Sequence, residues 1–358
     1  VISIFAFVAS SQTVKGMTIQ SQTRRSALNS IAAATAIPVC LPKEAIAAGQ
    51  DNLIIPGVAG AAPFRNLIVD EMTGQGNVEE DLVHKKSWKP PTPITKLGKS
   101  RLLATELSPL TPSLVPFAVD NELYYDPFLL GSWQTTATLR RKVYPYGTEY
   151  LPSASLFEGS PRNRDEQPGD SATYELQYVS ADGKANLESK ERLKVIAERA
   201  FNAYSINEGY DQLSQVNEIQ WDRKKDPTRL TLVFSTLGKD LQPLGQKKAE
   251  IYITARKSES GADPETGGKV FCSSERVRSV TVVPGNVVVS DTETITEFHP
   301  VDGSNGNHIK AISRIAIYLT PNPNNREGLL WQDVNGKAVA FFDYEFDMKR
   351  NPVDVSTL

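Results

Sequence analysis

The chain has few of the residues on which enzymes most often build their chemistry. Its 358 residues include two cysteines, Cys40 and Cys272, and three histidines, His84, His299 and His308. Cys40 lies in a leader described below, so Cys272 is left alone. That excludes an internal disulfide, C-x-x-C redox chemistry and a thiolate metal cluster, and Cys272 reads as a small buried hydrophobe within a strand. His299 precedes Pro300 and His308 ends "GSNGNH", both loop contexts that do not make a histidine metal site. There is no G-x-S-x-G and no H-E-x-x-H. The glycines of "LGKD" and "LGQKK" stand alone, as hairpin turns rather than a phosphate loop. Acid–base chemistry would fall to Glu79-Glu80-Asp81 or to Asp291 with Glu293, and both sets fit a solvated face better. Clustered Lys and Arg are also missing, which excludes a nucleic-acid partner.

Acidic residues are absent before Glu44, and no run approaches the roughly 20 apolar residues that span a bilayer. Residues 1–22, "VISIFAFVASSQTVKGMTIQSQ", pass from an apolar segment into Ser, Thr and Gln. Then follows "TRRSALNSIAAATAIPVCLPKEAIAAGQD". Its paired Arg24 and Arg25, its short apolar core broken by Asn29, Ser30 and Pro38, and its Ala45-Ile46-Ala47 form a cleavable twin-arginine signal. The acid-free stretch ahead of it has transit-peptide composition. Stacked addresses of this kind resemble those of proteins sent to the thylakoid lumen of a plastid acquired by secondary endosymbiosis. A bacterial periplasmic protein would need only the last of them. Residues 1–47 are thus expected to be removed, leaving a chloroplast lumenal protein without a transmembrane segment. That leader holds four bases and one acid, so the 39 bases and 42 acids of the chain become 35 and 41, a net charge of −6.

Residues 48–128 lack periodicity and are rich in proline ("WKPPTPITKLG", "LSPLTPSLVPF"), which interrupts helices and central strands alike. They predict an extended arm that drapes over a domain or grips a partner. From residue 129 to 350 the texture changes to strands bounded by turns, with 351–358 as a tail. "GSWQTTATLRRKV" alternates about Trp133, Thr135, Ala137 and Leu139. In "AFFDYEFDMK" Phe342, Tyr344, Phe346 and Met348 share one face, while Asp343, Glu345, Asp347 and Lys349 share the other. Alternation of this kind predicts an antiparallel sheet with a dry face and a wet face. "RLKVIAERAFNAYSI" fits helical and strand spacing, and is expected as a strand running into a short helical turn. The fold class is therefore all-β, an antiparallel barrel of about 8–10 strands whose closure removes exposed edges.

Gly131-Ser132-Trp133 resembles the G-x-W that opens lipocalins, in which the Trp plugs the closed end of the barrel against an Arg of the final strand. Arg350 fits that role. The mid-barrel T-D-Y has no clear counterpart, since Phe342-Asp343-Tyr344 lies in the last strand, and "YGTEYLPSASLFEGSPRNRDEQPGD" lengthens the domain. A closer resemblance is to a lipocalin-like family of chloroplast and cyanobacterial proteins with no assigned activity. It is carried by "ERAFNAYSI", "DPTRLTLVF", "SERVRSVTVV", "VVSDTETITEF", "IKAISRIAIYL" and "GKAVAFFDYEF". The resemblance implies a calyx-like fold and a plastid location, and supplies no substrate.

Three functions compete. A binding protein would hold a lipid, pigment or quinone-like molecule in the barrel, against Trp133, Phe342, Tyr344, Phe346 and an inward-facing Arg276. In that reading no cofactor is needed beyond the bound lipid or pigment. Arg276 has a structural alternative, pairing with Glu275, Glu293 or Asp343, and the aromatic row has another in plain core packing. An accessory protein would instead dock the 48–128 arm on the lumenal face of a thylakoid membrane complex. A pigment-modifying enzyme ranks last, because no catalytic constellation is visible.

Overall fold

The computed structural model describes residues 88–112, 122–152, 166–181, 193–210, 214–237, 243–283, 286–321 and 326–352. Arg24, Arg25, Ala45, Ala47, Glu79-Glu80-Asp81 and the arm before Trp88 lie outside them. In chain order the elements are α1 (Lys96–Arg101), β1 (Gly131–Val143), β2 (Ser171–Ser180), β3 (Val195–Ala197), α2 (Arg199–Tyr210), β4 (Ser214–Gln220) and β5 (Arg229–Leu237). They continue with β6 (Pro243–Ala262), β7 (Lys269–Val283), β8 (Asn286–Pro300), β9 (His308–Tyr318), α3 (Arg326–Asp333) and β10 (Ala338–Arg350).

The ten strands form one antiparallel sheet in the order β3-β2-β1-β10-β9-β8-β7-β6-β5-β4. Neighbours in sequence are neighbours in space with two exceptions: β3 and β4 lie at opposite edges, and the first strand zips to the last, with Trp133 opposite Arg350 and Leu139 opposite Tyr344. A closed ten-stranded wall would need one more ladder, between β3 and β4, and among the described residues there is none. The expected closure is therefore corrected to a half-barrel with a single seam. The reason is local. β3 lasts three residues before the chain turns into the twelve residues of α2, a full helix rather than the short turn expected. That helix tends the edge β3 leaves bare. Gln177 N–H donates to Asn202 Oδ1 (2.7 Å), Asn202 Nδ2 donates back to Gln177 O (3.0 Å), and Glu175 N–H donates to Ser205 Oγ (2.8 Å). Side-chain amide and hydroxyl groups thus do for β2 what a longer partner strand would do.

One face of the sheet curls upon itself. Tyr178 on β2 meets Phe298 on β8 (6.5 Å between ring centres), although three strands separate them in the sheet. A row of paired residues, Phe271, Phe298, Ala311, Phe346 and Ala137, crosses this concave face from β7 to β1. Alternation accounts for it: the inward parity of β10 is the apolar one read from the sequence, and that of β9 is apolar as well.

On the opposite parity the expected wet face of β10 holds at Glu345, Asp347 and Lys349. It is corrected at Asp343 and on β8, which carries Asp291, Glu293 and Glu297. These four acids are buried, Glu293 and Glu297 completely. Residues 88–112 lie across them as a strap. Leu97, Leu102 and Leu107 pack on Cys272, Ile295, Ala316 and Phe341. Ile94 N–H (2.7 Å), Thr95 N–H (3.1 Å) and the Thr95 hydroxyl all donate to Glu297. The first amides of α1 are capped twice: Thr95 Oγ1 accepts from Gly98 N–H, and Glu259 on β6 accepts from Lys96 and Leu97 N–H. A Cβ at Gly98 would run into the Glu297 carboxylate, which is why glycine stands there. Further along, Arg101 forks onto Glu293 (2.6 and 2.7 Å), which also accepts from Leu110 N–H, Ser274 and Tyr318. Asp291 and Glu293 are thus neither solvated nor free for acid–base chemistry.

Candidate ligand site on the concave face

Where the concave face closes on itself, a cavity of about 30 Å3 remains between Tyr125, Tyr178, Phe298 and Phe346 on its apolar side and Ser273, Glu275, Thr294 and Thr296 on its polar side. β7 and β8 supply the polar side because their inward parity, unlike that of β9, reads Ser, Glu and Thr. That volume matches about two water molecules. Tyr125 reaches the cavity by a single bridge to Val195, the first residue of β3, and its ring stands edge-on to Tyr178 at 4.9 Å.

Behind the cavity lies a buried ion group. Arg199, the first residue of α2, donates to both oxygens of Glu275 (2.7 and 3.2 Å) and to Glu122 (3.0 Å). Burial works to raise the Glu275 pKa, but the Arg199 guanidinium outweighs it and holds the carboxyl at about 2. Burial likewise raises the Tyr125 and Tyr178 phenols, and the Glu275 charge pushes both further, so both stay protonated donors. One Glu122 oxygen and the Arg199 Nε are buried without a partner. Such a cluster is satisfied enough to fix α2 over the seam and leaves polar capacity unused.

Of the residues selected from the sequence, the structure brings four to this face. Trp133 is wholly buried and donates to Leu129 O (2.7 Å), with Arg350 stacked 4.2 Å over its ring. Gly131 has φ near +120°, and a Cβ there would strike that guanidinium, so the Gly of G-x-W is required by both backbone and stacking. Phe346 lines the cavity, Tyr344 lies one layer along the same strand, and Phe342 packs half-buried at the margin under Lys142. Arg276 is corrected: it points to the convex face, where it donates to Asp291 (2.9 Å), and the inward charge is its neighbour Glu275. Strand parity permits only one of two consecutive residues to face the cavity.

Neither Arg199 nor Glu122 stands in a motif that marks it as functional. A signal for Arg199 exists in retrospect. The buried stripe of α2 runs through Arg199, Asn202, Ala203, Ile206 and Asn207 at helical spacing, and three of those five are polar. Among the described residues no three His, Cys, Asp or Glu side chains converge in a metal-binding arrangement, and no helix is long and apolar enough to cross a membrane. No curated protein and no solved structure matches the chain. A family profile does match residues 118–352, which takes in every strand described above. Since the match spans more than half of the sequence, the chain belongs to the family described as Domain of unknown function (DUF6816).

Proposed function

We propose that the protein is a lipocalin-like binding protein that takes a small hydrophobic molecule with a polar end, such as a lipid, pigment or quinone-like compound, into the concave face. The observation that carries this is the cavity, in which aromatic rings face a carboxylate and three hydroxyl residues beside a seam with no ladder. Apolar walls with a few convergent polar groups are the usual make-up of a small-molecule site. At its present volume the cavity holds water alone. A ligand enters by turning Phe346 or Tyr125 aside and lifting α2, which side-chain contacts and the Arg199 ion group tie to the sheet. The accessory reading draws less support, since Trp88, Thr95, Leu97, Arg101 and Leu107 are already engaged with the chain's own barrel. From the pattern of the leader we place this binding in the thylakoid lumen.

Native mass spectrometry of the protein titrated with decanol and with a short-chain benzoquinone tests the proposal. The expected result is a 1:1 complex that is lost in Ser273→Phe, which fills the cavity, at an unchanged unfolding midpoint. Absence of a complex with both probes, or full binding by a folded Ser273→Phe protein, would overturn it.

A further inference from the structure

Three buried polar atoms without partners gather at one place on the concave face, one layer of side chains from the cavity. Tyr174 on β2 and Tyr210 at the end of α2 have ring centres 5.7 Å apart, and both hydroxyls are buried without a hydrogen-bond partner of good geometry. Tyr344 on β10 donates to Glu166 Oε2 (3.0 Å), which leaves Glu166 Oε1 buried and unmatched. Tyr174 is 3% exposed, so solvent does not serve it. Between this cluster and the cavity stand Leu176 and Phe346, each two residues along a strand from a tyrosine of the cluster, a step of about 7 Å.

We infer that Tyr174, Tyr210 and Glu166 form a docking point for the hydroxyl of an alcohol or phenol, the polar end of the ligand whose body occupies the cavity. This rests on the binding function proposed above and names the ligand class. Counting donors and acceptors selects it. A hydroxyl oxygen accepts two hydrogen bonds, one from each free phenol, and its hydrogen goes to Glu166 Oε1. A carbonyl would accept both but leave the carboxylate without a donor. An ammonium would serve the carboxylate and leave both phenol hydrogens unused. Burial, and after it the neighbouring tyrosine and Glu166 charges, raise all three phenols far above their ordinary value, so each is a hydrogen donor at any physiological pH. Water has the same donor and acceptor count as an alcohol and is the competing occupant.

Calorimetric titration with 4-ethylphenol, its methyl ether 4-ethylanisole, and 4-ethylbenzylammonium tests the assignment. The phenol should bind about tenfold or more tighter than the ether, the worth of a satisfied buried polar site. The ammonium should bind no better than the ether. In Tyr174→Phe/Tyr210→Phe the phenol should fall to the ether's affinity, while the ether itself is unaffected. Equal binding of phenol and ether by the unaltered protein would overturn the inference and leave the binding function standing. So would a crystal structure of the phenol complex in which a water keeps the cluster. Failure of all three probes to bind would remove the binding function itself, and the inference with it.

Discussion

Both faces of the sheet carry buried regions, and these become dry by opposite means. The concave face is buried by curvature: its aromatic and aliphatic residues meet one another across the half-barrel, around the ion group of Arg199 and the hydroxyl residues of β7 and β8. The convex face is buried by a strap, and its carboxylates remain because that strap is a loop with unpaired amides. Strands satisfy each other's backbones, whereas an irregular segment has to be satisfied from outside itself. Glu259, Glu293 and Glu297 do this. The comparison teaches that acidic parity on a strand can mark a docking track for the chain's own extension as well as a solvated surface.

The largest effect should come from breaking the concave ion group. Arg199→Ala leaves Glu275 and Glu122 buried without their cation and should destabilise the protein by about 3–5 kcal/mol in a denaturant titration. Adding Glu275→Leu to an Arg199→Met protein should recover part of that loss, since the apolar pair carries no desolvation burden while Glu122 still lacks its cation. If the single and double variants were equally unstable, charge would not be what Arg199 contributes.

Glu297→Ala should be milder, about 1.5–3 kcal/mol, and should act on the strap before the barrel. Cys272 supplies the readout. Burial beneath the strap raises its thiol far above the ordinary value, so it should resist thiol reagents in the native protein. In Glu297→Ala its labelling should accelerate at denaturant concentrations where the concave core is still intact. In Arg199→Ala, labelling should follow global unfolding alone. Identical labelling profiles would erase the distinction between the faces.

Acid should weaken both faces together. Glu275 is held at about 2 by Arg199 against the pull of burial. Burial also opposes ionisation of Glu297, yet hydrogen bonds from His299, Thr95 and Ile94 keep its pKa below the ordinary 4.5. Groups depressed on folding stabilise fully above their unfolded value, and that stability is lost as pH falls from about 4.5 towards 2. Unfolding midpoints measured across that interval should decline steadily. A flat profile would show that these carboxylates are already protonated at neutral pH.

The smallest effect belongs to the end of the barrel. Arg350→Ala removes the guanidinium stacked on Trp133 and should cost about 0.5–2 kcal/mol, with a shift in tryptophan emission as water reaches the indole. No shift in emission would place the stacking outside the solvent barrier.

Much of the sheet was legible because strand parity is a local property. The alternation in β10 names its inward residues correctly. What escaped depends on distant chain. Nothing within "VVSDTETITEF" shows that residues 94–110 will cover its acids, and nothing within "RLKVIAERAFNAYSI" shows that Asn202 and Ser205 will meet a bare edge of β2. The candidate site divides the same way. Aromatic residues on the correct parity of β10 were found, and the choice of Arg276 over Glu275 failed by one residue, which on a strand is the width of the sheet. Arg199, Glu122, Tyr174, Tyr210 and Glu166 lie on four different segments, and only the curl of the sheet assembles them.

The pairing of first strand with last makes β10 a keystone. β1 touches the rest of the sheet through that strand alone, so a chain ending just before Ala338 would not have a sheet of nine strands. It would have two pieces, β1–β3 and β4–β9, with no ladder between them. Synthesis delivers β10 after β1–β9, and until then β1–β3 wait with an open edge. This thirteen-residue strand therefore decides whether the nine strands before it become one sheet.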